Sequence, residues 1–269
     1  MFAIRPSAFA GQFYPESKKE LKSQIEEFLK EANPKDIKGK VKALISPHAG
    51  YQFSGPIAAY GYKLLRDTKY LPSGRHGEIQ DTIILGTSHH MMFPGVALTN
   101  FSYWETPLGK VRSSSLHKKL ESNPNFSLVN EAHISEHSIE VQLPFMQSVL
   151  KDFQITPVLT GRVDNHKEIA QTLSKHLDER SLIIVSSDLC HYLPYEEANE
   201  EDNKTIQQIL DFDTYIDSEQ ACGTDGIIIL IEIAKLLKWK VKLLDYRNSG
   251  DTAGDKDKVV GYTSIIFYK

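Results

Sequence analysis

The sequence predicts an α/β fold, a layered sheet flanked by helices, and two observations carry that prediction. Short, mostly apolar runs such as "KVKALIS" (40–46), "DTIILGTS" (81–88) and "SLIIVSS" (181–187) have the length and β-branched content of strands buried on both faces. They alternate with longer stretches whose apolar residues recur at helical spacing. No internal repeat and no break in composition divides the 269 residues, so a single domain over 1–269 is expected.

Taken in order, residues 17–32 set Leu21, Ile25, Phe28 and Leu29 on one stripe, and Ser17 with Glu20 reads as a capping box. The strand 40–46 then runs into Pro47, His48, Ala49 and Gly50. After Pro56, "IAAYGYKLLRD" reads as a helix with proline near its first turn. The strand 81–88 ends on His89 and His90. "GVALT" (95–99) and "FSLV" (126–129) are shorter strands, and "SIEVQLPFMQSVL" (138–150) reads as a helix despite Pro144. A strand over 153–161 and a helix over 165–178 precede the apolar run 181–187. A polar helix over 196–211, a buried helix over 225–238 and strands over 240–248 and 259–269 complete the chain. The glycine- and charge-rich 248–258 is expected to be a flexible loop.

Composition is that of an ordinary globular protein, 41% hydrophobic and 25% charged. Lys+Arg 31 against Asp+Glu 35 leaves a net charge of −4, too balanced to make nucleic acid or an anionic membrane the main partner. No apolar run approaches the roughly 20 residues that span a bilayer; the longest, "GIIILIEIA" (226–234), is broken by Glu232. The N-terminus lacks the basic-then-apolar plan of a signal peptide, so a cytoplasmic address is expected. Two cysteines, Cys190 and Cys222, do not make a disulfide framework.

Three apolar strands each stop at groups able to bind a metal or move a proton: His48, the pair His89/His90, and Asp188 with His191. Ligands of α/β sheets sit beyond the carboxyl ends of strands, so three such ends point to one shared site. A lone histidine there is ordinarily a hydrogen-bonded loop residue; three together favour metal binding or catalysis equally with that reading. Cys222, just ahead of a buried helix, is either an apolar filler or a thiolate favoured by the helix N-terminus. In "SEHSIEVQLPF" (135–145), His137 and Glu140 lie at i, i+3, and this is not the H-E-x-x-H zinc pattern. His137 either lines the cavity or belongs to a solvated helix face. Phosphate-binding glycine loops, a G-x-S-x-G elbow and CxxC pairs are lacking from the sequence.

Together "SPHAGYQFSGPIAAYGY", "ILGTSHH", "EHSIEVQLPF", "VSSDLCHY" and "CGTDGI", in that order, resemble the Memo family of archaea, bacteria and eukaryotes. The resemblance implies the class III extradiol dioxygenase (LigB-like) fold. In those enzymes two histidines and a carboxylate hold Fe(II), with open positions for substrate and O₂. It implies His48 and His89 as histidine ligands and His191 as an acid/base group or added ligand. Cys222 then stands where the dioxygenases keep their carboxylate, and Asp188 is the carboxylate nearby. His89 is preferred to His90 on the family pattern alone. A thiolate is softer than a carboxylate and shifts preference toward copper, zinc or a differently tuned iron. Fold likeness therefore does not license a dioxygenase assignment.

The family is linked to iron and copper binding, and its animal members to receptor signalling and cell motility. Prokaryotic members are often encoded beside a radical-SAM protein and an AMMECR-type protein, which implies a functional association with both. Three functions stay open. One is a metal-dependent, dioxygenase-like oxidoreductase using His48, His89 and Cys222 with iron or copper, and His191 and Asp188 for proton transfer. The second is a zinc hydrolase with an activated water. The third is a scaffold with a vestigial site that recognises a peptide through Tyr51, Phe53, Tyr192 and Tyr195, aromatics equally suited to a plain pocket wall. The substrate is an unidentified small molecule or peptide.

Overall fold

A computed structural model describes residues 3–71 and 79–269. Its strands, in chain order, are β1 (Ile4–Arg5), β2 (Val41–Ser46), β3 (Asp81–Thr87), β4 (Val96–Leu98), β5 (Tyr103–Thr106), β6 (Gly109–Ser113), β7 (Phe126–Leu128), β8 (Gln154–Thr160), β9 (Ser181–Ser186), β10 (His191–Leu193), β11 (Lys240–Asn248) and β12 (Val259–Tyr268). The α-helices are α1 (Lys18–Glu31), α2 (Tyr51–Arg66), α3 (His117–Leu120), α4 (Asn130–Ile134), α5 (His137–Glu140), α6 (Leu143–Val149), α7 (His166–Ser174), α8 (Tyr195–Leu210) and α9 (Thr224–Leu237).

The strands form one large sheet whose centre runs β8-β3-β9-β2 with every neighbour parallel. Beyond β2, β12 pairs antiparallel and carries both β11 and β10. Alternation along the central strands splits their side chains between two layers. Leu44, Ile84, Leu182 and Ile184 face a core that includes residues of α1, α2 and α6. Ala43, Ile45, Ile83, Leu85, Ile183 and Val185 face a second core with residues of α7, α8 and α9. Strands covered on both faces read as near-continuous apolar runs, which is why those stretches stood out. The layered α/β architecture is therefore the one expected.

Several boundaries differ from the sequence expectation for local reasons. Helix α2 begins at Tyr51, not after Pro56, which lies inside it. The run 138–150 is two short helices, with Pro144 in the first turn of α6, where its missing N–H is no loss. Residues 103–113 form a hairpin, β5 against β6, that apolar periodicity did not reveal, because each strand exposes part of one face. The stretch 248–258 opens on a built turn: the Asn248 and Asp251 side chains cap one another's backbone across Ser249–Asp251.

One glycine sets the spacing at the functional end of the sheet. A Cβ on Gly86 would lie 2.6 Å from Ser138 Oγ and 2.8 Å from Ile139 Cγ1. Its bare backbone lets α5 press against β3 and brings His137 to the strand ends. Among the described residues, no helix is long and apolar enough to cross a membrane.

Candidate metal centre

Because β3, β9 and β2 are neighbours running the same way, their carboxyl ends share one edge, with Ser46 opposite Ser186 and Leu85 opposite Val185. The loops leaving those ends carry His48, His89 and Asp188. The His48 ring stands 5.3 Å from that of His89 and 5.2 Å from that of His137, nearly perpendicular to each. His89 and His137 stack at 4.4 Å. One nitrogen from each of the three lies within 4.8 Å of the others, a grouping able to hold a metal ion. Phe13, 4.6 Å from the His137 ring, and Phe9, at 5.5 Å, wall off one side of the cluster.

Cys222 arrives from the turn before α9. Its Sγ lies 3.3 Å from His48 Nε2 and accepts the Asp188 N–H at 3.3 Å. His89, His191 and Cys222 line a cavity of roughly 680 Å³, together with the acidic Glu201, Asp217 and Glu219. Asp188 is buried, and its Oδ1 accepts the His48 N–H at 2.8 Å, so it braces the turn that presents His48. Cys190 is buried beside Ala198 and Val259, and its N–H donates to Asp202 Oδ1.

The carboxylate most intimate with the histidines is Glu136. Its Oε1 accepts from His89 Nδ1 at 2.9 Å and lies 3.3 Å from His137 Nδ1, and its Oε2 accepts the His89 N–H at 2.7 Å. Sequence reasoning missed it. The one signal was an acidic residue directly before His137, where Glu136 caps α5 by accepting the Ser138 N–H. Glu140, the i, i+3 neighbour of His137, instead joins Arg5, Tyr14 and the backbone N–H groups of Ala8 and Phe9. His90 is exposed, and its ring is 6.4 Å from that of His89. Of the aromatics expected at the mouth, Tyr51 is instead buried, its hydroxyl donating to Val141 O, whereas Tyr192 is 68% exposed.

Burial governs the protonation of the cluster. Removal from water pushes His48 down to about 3, with His89 adding to the effect, and His137 falls to about 3 through burial and the nearness of His48. Burial would raise the Glu136 carboxyl, but the His89 hydrogen bond and charge outweigh it and hold it at about 2. Burial lifts Asp188 to about 6 against the pull of the His48 N–H. It lifts the Cys222 thiol to about 12, with Asp188 as the second cause.

These donors fit a metal ion. Two ligands of one tetrahedral zinc lie roughly 3.5 Å apart given usual Zn–N and Zn–S lengths, and His48 Nε2 and Cys222 Sγ are separated by 3.3 Å. Neutral imidazoles whose Nδ1 sits on a carboxylate offer Nε2 as a ligand, the ordinary outer-shell arrangement of metal-binding histidines. His137, held neutral by burial, has Nδ1 3.3 Å from Glu136, and His89 places its Nδ1 on the same carboxylate.

Comparison with known proteins places the chain. The family model described as "Memo-like protein" matches residues 5–266. A "MEMO1 family protein" of Desulfurococcus amylolyticus is 36% identical, covering 98% of this chain and 99% of that one. One of Aquifex aeolicus is 35% identical over 98% of this chain and 99% of its own length. An uncharacterised Escherichia coli K12 protein of known crystal structure has the same fold, with TM-score 0.53, 14% identity, and cover of 84% of this chain and all of that one. The chain belongs to the Memo family.

Proposed function

We propose that this Memo-family chain is a metal-dependent oxidoreductase, with His48, His89 and Cys222 as ligands of a redox-active iron or copper. What supports the reading most is the approach of Cys222 Sγ to His48 Nε2, in a cluster where burial holds His48 and His137 neutral. His48, His89 and His137 are the three whose ligand atoms lie within 4.8 Å of one another, and Cys222 meets that grouping at His48. When bound, such a metal supplies electron transfer and polarises a substrate oxygen.

The chain's own groups do the rest. Cys222 must give up its proton before it can ligate, and the cavity on which it opens provides the path to water. His191 lines the same cavity and takes the role of acid/base toward a bound substrate. Asp188 holds the His48 backbone and, with its carboxyl lifted to about 6, carries a proton to or from the cluster near neutral pH. Phe9 and Phe13 keep water from the His137 side.

Element-resolved metal analysis of protein prepared without oxygen tests this reading. Iron or copper near one equivalent is expected in the wild type and should be lost in His48→Ala and Cys222→Ser. Full metal retention in both variants would sink the ligand assignment. A hydrolytic zinc site is the second reading, since zinc accepts a His/His/Cys set with one open position. It predicts stoichiometric zinc and no redox signal.

A further inference from the structure

The side of His48 turned away from the cleft meets a buried chain of hydrogen bonds that the proposed chemistry does not use. His48 Nδ1 lies 3.0 Å from Ser186 Oγ, and Ser186 Oγ lies 2.5 Å from the Ser138 carbonyl. Gln142 Nε2 is 2.7 Å from Ser186 Oγ and 2.9 Å from the Pro47 carbonyl, and Tyr62 donates to Gln142 Oε1 at 2.7 Å. All these side chains are buried, so no bulk water can relieve a mismatched proton.

Two of the partners are carbonyl oxygens, which only accept, and they fix the remaining hydrogens. Pro47 O requires the amide nitrogen of Gln142 on its side; a flipped amide would oppose carbonyl to carbonyl. Gln142 therefore donates to Ser186 as well. Ser138 O takes the single hydroxyl hydrogen of Ser186. With that hydrogen committed, Ser186 Oγ accepts from Gln142 on one lone pair and must accept from His48 Nδ1 on the other. His48 then carries its proton on Nδ1, and its Nε2 lone pair faces Cys222.

We infer that Ser186 is a positioning residue of the site, a directional acceptor that locks His48 in the Nδ1–H tautomer under the direction of Gln142 and the Ser138 carbonyl. His89 gets the same tautomer from a carboxylate, which has no hydrogen to misplace. A serine hydroxyl can donate or accept, and only the Ser138 carbonyl removes the choice. Ser138 belongs to α5, the helix that opens with His137. One short segment therefore delivers one imidazole and sets the tautomer of another. The functional consequence rests on the metal reading above, whereas the tautomer is a property of the metal-free chain.

The test is a two-bond ¹⁵N–¹H correlation spectrum of labelled, reduced, metal-free protein. The expected His48 signature is a pyrrole-type Nδ1 and a pyridine-type Nε2. In Ser186→Ala, with the fold checked by its amide spectrum, His48 should show a mixed or inverted tautomer. The affinity of that variant for Zn²⁺ alone, by calorimetry, should fall about 10- to 100-fold, the usual effect of losing an outer-shell partner. Ser186→Thr keeps the hydroxyl and should restore both signals. A pyridine-type Nδ1 in the wild type overturns the assignment without recourse to any variant. So does Ser186→Ala with unchanged tautomer and unchanged Zn²⁺ affinity. The expected wild-type tautomer in a protein that binds no Zn²⁺, iron or copper supports the lock and overturns the metal reading instead.

Discussion

Glu136 and Glu140 are four residues apart in one short segment, both buried, at 1% and 0% exposure. Their surroundings nevertheless make them opposites. Glu140 meets a permanent cation, Arg5, with Ser7, Tyr14 and two backbone N–H groups completing its shell. Each of those partners is fixed in charge at any ordinary pH. Glu136 meets two imidazoles that belong to a grouping able to hold a metal. The first network is a buttress and the second orients histidines able to hold a metal. Burial and residue type alone do not separate them; the partners do. Arg5 also ties the two together, donating Nη2 to the Glu136 carbonyl at 2.7 Å.

The comparison can be broken at either carboxylate. Glu140→Ala strands the Arg5 guanidinium in the core, and a loss of about 3–5 kcal/mol is expected from guanidinium denaturation. A cost below that of an ordinary surface substitution would mean the buttress bears no strain of charge. Glu136→Gln keeps the shape but gives His89 and His137 a weaker acceptor. Its main effect should fall on Zn²⁺ affinity, lower by about 10- to 100-fold in calorimetry, with a smaller stability loss than Glu140→Ala. If the ordering of the two stability losses is reversed, the distinction between the networks fails.

Gly86→Ala probes the seam where β3 meets α5. The added methyl collides with Ser138 and Ile139, and overpacking of this kind costs about 1–3 kcal/mol. The shift of α5 should also disturb the His137 ring resonances and, through Glu140 and the Glu136 carbonyl, those of the Arg5 guanidinium.

A pH slope probes the buried titratable groups on both sides of the comparison. His48, His133 and His137 are each pushed down to about 3, chiefly by burial. Unfolding lets them take up protons, so stability should fall as pH drops below about 6.5. Asp202 works the other way. Burial raises it to about 6, so its folded form holds a proton that the unfolded form releases. Its cost is absent below the unfolded value and grows as pH rises through about 6, which partly offsets the histidines on acidification. Asp202→Asn removes that offset, keeps Oδ1 for the Cys190 N–H and turns an amide N–H toward the Tyr246 oxygen, whose own hydrogen still has Asn199 Oδ1 as acceptor. Urea midpoints between pH 6.5 and 4 should therefore decline more steeply in the variant; parallel slopes would show that Asp202 is ionised in the fold.

Much of the architecture was legible because it is local. The doubly covered strands 40–46, 81–88 and 181–187 are apolar at most positions, so their runs announce themselves, and the polar groups that end them were visible in the same reading. The hairpin 103–113 was missed because half-exposed strands leave no such run, and the break at Val141 and Gln142 because proline in a first turn looks like proline in a helix.

Composition and periodicity by themselves determined the α/β layering and the placement of His48, His89 and Asp188 just past strand ends. Only the tertiary structure decided which side chains meet. Cys222 is 174 residues from His48, and its approach depends on β9 lying between β3 and β2 with α9 on the second face. Nor does sequence distinguish Glu136 from Glu140, since both are acidic residues on one short helical stretch. Their difference lies in the third dimension, where Arg5 fills one shell and the histidines fill the other.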